Sequence, residues 1–362
     1  MSNRLKILHL LHDSRRSGVP AVASQIIYNL DPAKVESTVL FAYDGIYSAE
    51  LRNAGFTVIT LGKRGALLWR LNNMILNFHM MKLLSKMDVV HVHSIKLDIS
   101  VIVAKCLGGK VVFHLHERPG RIGRLLVKAV GMADCVVFCA RNCAEHFSGV
   151  PAKQKRLILN AICLPDPLPV KVPGQKKKIV MLGSINANKG QDLLLQAFSR
   201  LNRDDAELYF YGTVGLSARG YVKRLENFVR EHGMEGRVFF PGPTNRADLV
   251  YREATLLVHT SLQECLSIAV MEALSHGVPV IANDIIGMNE IVNDGVNGYL
   301  VRPGDVDALT ERMSRLLDDP SLCRQMGEAG RETVRTRFNI ATRIPEYMEL
   351  YEDLAKKEQG GR

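Results

Sequence analysis

The sequence predicts an α/β chain of two consecutive Rossmann-like domains, each built on a parallel sheet. Three observations predict it. The chain has 362 residues, 47% of them hydrophobic, which is more than a single core usually organises. Short β-branched runs alternate with helical patterns, as strands covered on both faces by crossover helices do. The alternation is interrupted once, by a Pro- and Lys-rich stretch, and then restarts.

The first set of strands is expected at Leu5 to Leu11, Ser37 to Ala42, Thr57 to Thr60, Val89 to His93, Val111 to Leu115, Cys135 to Cys139 and Arg156 to Leu159. Leu164 to Lys178 then carries Pro165, Pro167, Pro169 and Pro173 with no apolar period, and reads as the linker. The second set is expected at Ile179 to Leu182, Glu207 to Tyr211, Arg237 to Phe240, Leu256 to His259, Pro279 to Ala282 and Tyr299 to Val301. The domains are therefore 1–165 and 166–340, followed by a terminal helix and tail over 341–362. In that last segment Ile344, Tyr347, Leu350, Tyr351 and Leu354 recur at three-and-four spacing, which predicts a helix packed near the domain junction. Open parallel sheets take ligands beyond the carboxyl ends of their strands, so two such domains facing a cleft would give one site with two walls.

Composition narrows the function classes. Residues 1–165 hold 22 Lys plus Arg against 10 Asp plus Glu, a charge of +12, whereas 166–362 is nearly balanced at −2. A basic half suits nucleic acid, anionic lipid or an acidic substrate. With no nucleic-acid motif and only 6% aromatic residues for base stacking, nucleic acid is not expected. Trp69 to Lys86 and Arg118 to Lys128 mix basic and apolar residues, as would a surface meeting an anionic membrane or an ordinary amphipathic helix on a sheet. The seven cysteines are odd in number and form no CxxC pair, so they read as core residues in a reducing compartment. Leu5 to Leu11 is too short for a signal-peptide core, and no apolar run approaches the roughly 20 residues of a membrane span. A cytoplasmic protein is expected, with any membrane contact peripheral.

The most informative stretch runs from His259 to Ala282. A strand is expected to end near His259, and a helix to start near Ser267 as N-cap and stop at Gly277, leaving Glu264 in the loop and Glu272 in the helix. Loop and helix-start amides bind polar or anionic groups, and a carboxylate holds vicinal hydroxyls. A nucleotide sugar offers all of these. Upstream, Gly183, Ser184, Lys189 and Gly190 follow the strand ending at Leu182.

Glu264 and Glu272 with seven residues between them, then Gly277, Pro279, Val280, Ile281 and Ala282, then Gly287 and Glu290, resemble the E-x7-E signature of glycosyltransferase family 4. The resemblance extends to Gly183 with the Lys189-Gly190 pair, to Gly212 and Gly242, and to the run Asn293 to Pro303. It implies the GT-B fold and retaining, metal-independent transfer from a nucleotide-sugar donor to a glycan or lipid-linked acceptor in polysaccharide or glycolipid synthesis. By the same resemblance Gly183 and Lys189 surround the donor diphosphate, Glu264 lies near the donor sugar, Glu272 binds the ribose, and Gly287 and Glu290 close the pocket. Ser184 stands where the family usually has Arg, and Arg219 is a basic residue that would substitute for it. In the first domain the resemblance covers Gly18, in the loop after the first strand, Asn160 before the linker, and His116, placed near the donor sugar. His91, His93 and His116 have no HxxE, HExxH or clustered carboxylate beside them, so neither metal nor cofactor is expected. A nucleotide-sugar epimerase or a sugar phosphorylase on the same fold is the competing reading, which the E-x7-E register disfavours.

Overall fold

The computed structural model describes residues 4–62, 69–165 and 176–356. Most of the expected linker, 166–175, and the tail from 357 lie outside the described residues. The chain forms two compact units, one of residues 1–161 and 340–362, the other of 162–339.

Among the described residues the first unit holds seven strands: β1 Leu5–Leu11, β2 Val35–Phe41, β3 Thr57–Thr60, β4 Val89–Val92, β5 Val111–Leu115, β6 Cys135–Phe138 and β7 Lys155–Leu157. They pair in the order β3-β2-β1-β4-β5-β6-β7, and every pairing is parallel. β4, β5 and β6 are buried along their whole length, which is why they read as continuous rather than alternating apolar runs.

The described residues of the second unit hold six: β8 Lys177–Leu182, β9 Ala206–Tyr211, β10 Val238–Gly242, β11 Ala254–His259, β12 Val280–Asn283 and β13 Gly298–Val301. Their order is β10-β9-β8-β11-β12-β13, again all parallel. Its core gathers Ile179, Met181, Leu208, Phe210, Leu256 and Val258 from the sheet with Leu194, Leu225, Leu309 and Met313 from the helices. Each fully buried side chain of this kind contributes about 1.5–3 kcal/mol relative to exposure.

The terminal helix, Ile340–Lys356, belongs to the first unit. Its expected buried stripe includes Tyr347, Leu350, Tyr351 and Leu354, all buried, and Arg156 ties it down through Asp353 at 2.9 Å. The basic segment at 118–128 becomes helical only from Arg124, because Pro119, Gly120 and Gly123 precede it. No helix among the described residues is long and apolar enough to cross a membrane.

Candidate functional site

In the second sheet the strand order reverses between β8 and β11, so crossover connections depart to opposite faces and leave a crevice beyond those two strand ends. The loops entering that crevice are Gly183 to Gly190 after β8 and Thr260 to Ser267 after β11. Glycine is required at two places. A Cβ on Gly212 would sit 1.7 Å from the Gly183 carbonyl oxygen, so the turns after β8 and β9 touch backbone to backbone. Gly190 has φ +70, and a Cβ there would meet the Thr260 carbonyl oxygen at 2.5 Å. The loops are then laced together: Thr260 Oγ1 donates to the carbonyls of Gly190 at 2.8 Å and Lys189 at 3.1 Å, and the Leu262 amide donates to the Asn188 carbonyl at 2.8 Å.

This lacing brings Lys189 to Glu264, 75 positions away in the chain, where Nζ pairs with Oε1. His259, at the end of β11, places Nε2 3.0 Å from the same oxygen. The three side chains are 19%, 15% and 1% exposed respectively. Burial alone would push the Glu264 carboxyl up, but the His259 hydrogen bond and the Lys189 charge outweigh it and hold the group well below the usual carboxylate range. Glu264 is therefore a carboxylate, and His259 serves it as an Nε2–H donor. The aliphatic stem of Lys189 runs past Gly183, with Cε 3.8 Å from where a Cβ would be. A Cβ there would stand in ordinary van der Waals contact with that stem.

The helix after this loop is Ile268–Ser275, with Ser267 at the N-cap position. Ser267 makes no side-chain cap, so its hydroxyl does not occupy the first-turn amides. Glu272 lies on the second turn, and its Oε2 is 3.0 Å from the hydroxyl of Tyr251, which is also 3.2 Å from the Ala269 carbonyl oxygen. Burial first, and the Glu272 charge second, raise the Tyr251 phenol far above its ordinary value, so it stays a donor that fixes this carboxylate. The helix ends at Gly277, φ +70, against which Gly327 packs so closely that a Cβ would come within 2.2 Å of the Gly277 carbonyl oxygen.

Of the remaining sequence-selected residues, Ser184 is held by its own loop: Asn186 donates to its hydroxyl at 2.9 Å and Gln191 to its carbonyl at 3.1 Å. Gly287, buried with φ +104, and the half-buried Glu290 lie together in the turn after β12. Arg219 is exposed at the first position of the helix Arg219–Glu231. Gly183, Ser184, Lys189 and Glu264 thus share one crevice, and Glu272 follows on the helix that leaves it.

In the first unit the order reverses between β1 and β4. Gly18 opens the helix Gly18–Asn29 there, Ser17 provides no side-chain cap, and a Cβ on Gly18 would find nothing within 4 Å. His116 is buried just beyond β5; burial depresses its imidazole to about 3 against a smaller opposing contribution from Asn160, so the ring is neutral. Sequence reasoning missed His259 and Tyr251, the groups that orient the two glutamates, and it missed that His9 and His114 share the face of His91, His93 and His116. Two-residue spacing on a strand was the available signal for that row.

A solved structure of Anabaena HepE in complex with UDP and glucose superposes with a TM-score of 0.85 over 97% of this chain and 100% of that one, at 20% identity. The fold is GT-B. Residues 168–333 match the family model described as glycosyl transferases group 1, which spans the crevice of the second unit. The exopolysaccharide phosphotransferase of Streptomyces coelicolor is 30% identical over 251 residues, covering 68% of this chain and 26% of that protein. The poly(glycerol-phosphate) alpha-glucosyltransferase of Bacillus subtilis is 27% identical over 201 residues, covering 54% of this chain and 29% of that one. The chain spans less than a third of the length of either relative.

Proposed function

We propose that this GT-B chain is a retaining glycosyltransferase of family 4 that moves a sugar from a nucleotide-sugar donor to a glycan or lipid-linked acceptor in polysaccharide or glycolipid synthesis. The observation that carries the reading is the Lys189–Glu264–His259 cluster at the reversal point of the second sheet, with Gly183 beside it. It joins one cation, one ionised carboxylate and close backbone approach, which are what a sugar diphosphate needs. The family match over 168–333 and the UDP-bearing GT-B neighbour support the same reading.

In this reading the donor diphosphate draws Lys189 from Glu264, and Glu264, held by His259, turns to the sugar hydroxyls. Glu272, fixed by Tyr251, takes the ribose. The acceptor hydroxyl attacks the anomeric carbon on the face the diphosphate leaves. The bond from that carbon to the diphosphate oxygen breaks, and the same oxygen accepts the acceptor's proton. Lys189 and loop amides stabilise the negative charge that develops, the role magnesium or manganese fills in other transferases. The exposed apolar residues Met74, Phe78 and Met81 at helical spacing, with Lys82 over the Phe78 ring at 4.3 Å, support an anionic membrane surface as the place where a lipid-linked acceptor is met.

A panel of nucleotide sugars tests this by thermal stabilisation, since a ligand that binds the folded state raises its stability. The donor so identified is then incubated with acceptor extracts and the anomeric configuration of the product read by NMR. Inversion at the anomeric carbon, or stabilisation by no nucleotide sugar, overturns the proposal.

A further inference from the structure

The first unit holds a row of buried imidazoles that meets its terminal helix. His9 on β1, His91 and His93 on and just beyond β4, and His114 on β5 stand on one face of the sheet. Centroid to centroid, the His91 ring lies 3.8 Å from His93 and 5.4 Å from His114, and His9 lies 5.4 Å from His93. The terminal helix packs on two of these rings: Tyr347 is 6.1 Å from His91 and 6.0 Å from His114, and the Tyr351 hydroxyl is 2.6 Å from His91 Nδ1. All four imidazoles are wholly buried.

A neutral imidazole has one N–H to give and one lone pair to fill, and water serves both. The row leaves them unserved. Among the described residues, His91 Nε2, His93 Nδ1 and both nitrogens of His114 have no hydrogen-bond partner. Only the inner end of the row is engaged, His93 Nε2 lying 3.1 Å from His9 Nδ1. The groups that face His91 and His114 are the other rings and the Tyr347 and Tyr351 phenols, with the Cys139 thiol acting on Tyr347 from β6. His116, 3.8 Å from His114 and neutral as well, keeps the role its resemblance implies. The helix carboxylates turn to arginines instead: Glu346 accepts from Arg343 at 2.8 Å and Asp353 from Arg156 at 2.9 Å, with Glu349 3.5 Å from Arg156. Burial first, and repulsion between rings second, therefore hold His91, His93 and His114 well below the ordinary imidazole value, and burial puts His9 at about 3.

We propose that the terminal helix is a proton-operated latch, docked on the first unit while His91 and His114 are neutral and released as mild acid protonates them. Helix Ile340–Lys356 shares no strand pairing with the sheet, so it can leave while the ladders stay closed. Its departure opens both rings to water, where an imidazole titrates near about 6.5. The docked state binds these protons less readily than the released state, so docking is at full strength above that value and weakens as pH falls through it. Each ring multiplies the opening equilibrium about tenfold between about pH 7.5 and 5.5, and the two together about a hundredfold. Carboxylates stay ionised over that interval, which separates this effect from the acid response of Glu264. The proposal uses neither a donor nor His116, so it stands apart from the transferase reading.

Hydrogen exchange of the full chain without donor, corrected for the intrinsic effect of pH on exchange, reads the latch. Between about pH 7.5 and 5.5 the protection of helix amides should fall by about a hundredfold, and at each pH the helix should be less protected than β1 and β4. His91→Gln combined with His114→Gln keeps polar side chains that cannot take a charge, and should bring the fall below about threefold. His79→Gln, whose imidazole bonds to the Ile75 carbonyl outside the row, should leave the fall at full size. Helix protection that is level across the interval overturns the proposal. So does equal protection of helix and strands throughout, which would mean that they open only together, and so does a double variant that keeps the full fall. Should the double variant fail to fold, each single variant is read in the same way: a fall of about tenfold sustains the latch, and one still near a hundredfold refutes it.

Discussion

Replacing Lys189 with alanine should reduce both the stability of the second unit and turnover, for separable reasons. The Lys189–Glu264 pair is 19% and 15% exposed, too enclosed to behave as a surface ion pair worth 0–1 kcal/mol. Removing one partner of a buried pair costs about 3–5 kcal/mol, because a charge is left without its counter-ion. Glu264 keeps the 3.0 Å bond from His259 and its residual exposure to solvent, which brings the expected loss to about 2–3 kcal/mol. The loss resides in the carboxylate that no longer faces a lysine charge, so combining Lys189→Ala with Glu264→Gln should restore part of it. Turnover at saturating donor should fall by about two orders of magnitude, as for other preorganised groups that face developing negative charge. Urea unfolding followed by circular dichroism measures the first effect and single-turnover kinetics the second. A Lys189→Ala variant within about 0.5 kcal/mol of the unmodified protein, with unchanged turnover, would refute both halves of the reasoning.

Acid should act through Glu264. Its folded-state carboxyl lies below the unfolded value, so its stabilisation is full above the ordinary carboxylate range and is lost as pH falls from there toward the folded value; Glu264→Gln should flatten the acid limb of a stability–pH curve, and an unaltered limb would exclude this residue as its source. Glu272→Ala should weaken donor binding by about 1.5–3 kcal/mol in a calorimetric titration, and Tyr251→Phe by less, since only the orienting hydroxyl is lost; unchanged affinity in Glu272→Ala removes it from the donor site. Adding Mg²⁺ or Mn²⁺ to chelator-treated enzyme should not raise the transfer rate, and a dependence on either would transfer the role of Lys189 to a metal. The protein should sediment with anionic vesicles more than with neutral ones and less at high salt, and replacing Met74 and Phe78 with serine should lower that binding; equal partitioning to both vesicle types would favour a soluble acceptor.

The strands were legible because parallel strands covered on both faces leave unbroken apolar runs, and the Glu264 loop was legible because Ser267 and Gly277 bracket the helix after it. Strand order was not. That β8 lies beside β11 follows from how the crossovers wind, and only this adjacency joins Lys189 to Glu264 across 75 residues. His259 appeared in the sequence as the end of a strand, since nothing in a linear pattern tells that its ring turns toward a carboxylate five residues on. Tyr251 was hidden for the same reason: its hydroxyl reaches Glu272 from a separate helix, Ala247–Glu253. The terminal helix showed its apolar stripe plainly, but the partner of that stripe, the imidazoles of His91 on β4 and His114 on β5, is a property of the assembled sheet.

Because the terminal helix belongs to the first unit, the order of synthesis and the order of completion differ. A ribosome releases residues 4–161 first, yet Tyr347 and Tyr351, which pack on His91 and His114, emerge only after the whole of 162–339. The second unit is contiguous, and its two ends already meet within it, through the Ile162 amide bonded to the Phe338 carbonyl at 2.9 Å. It can therefore finish folding on the ribosome while the earlier-made unit still waits with its imidazoles uncovered, a reversal of the usual N-terminal-first sequence of domain folding. A stop codon that removes only the last helix would thus disable the part of the protein made first and spare the part made second.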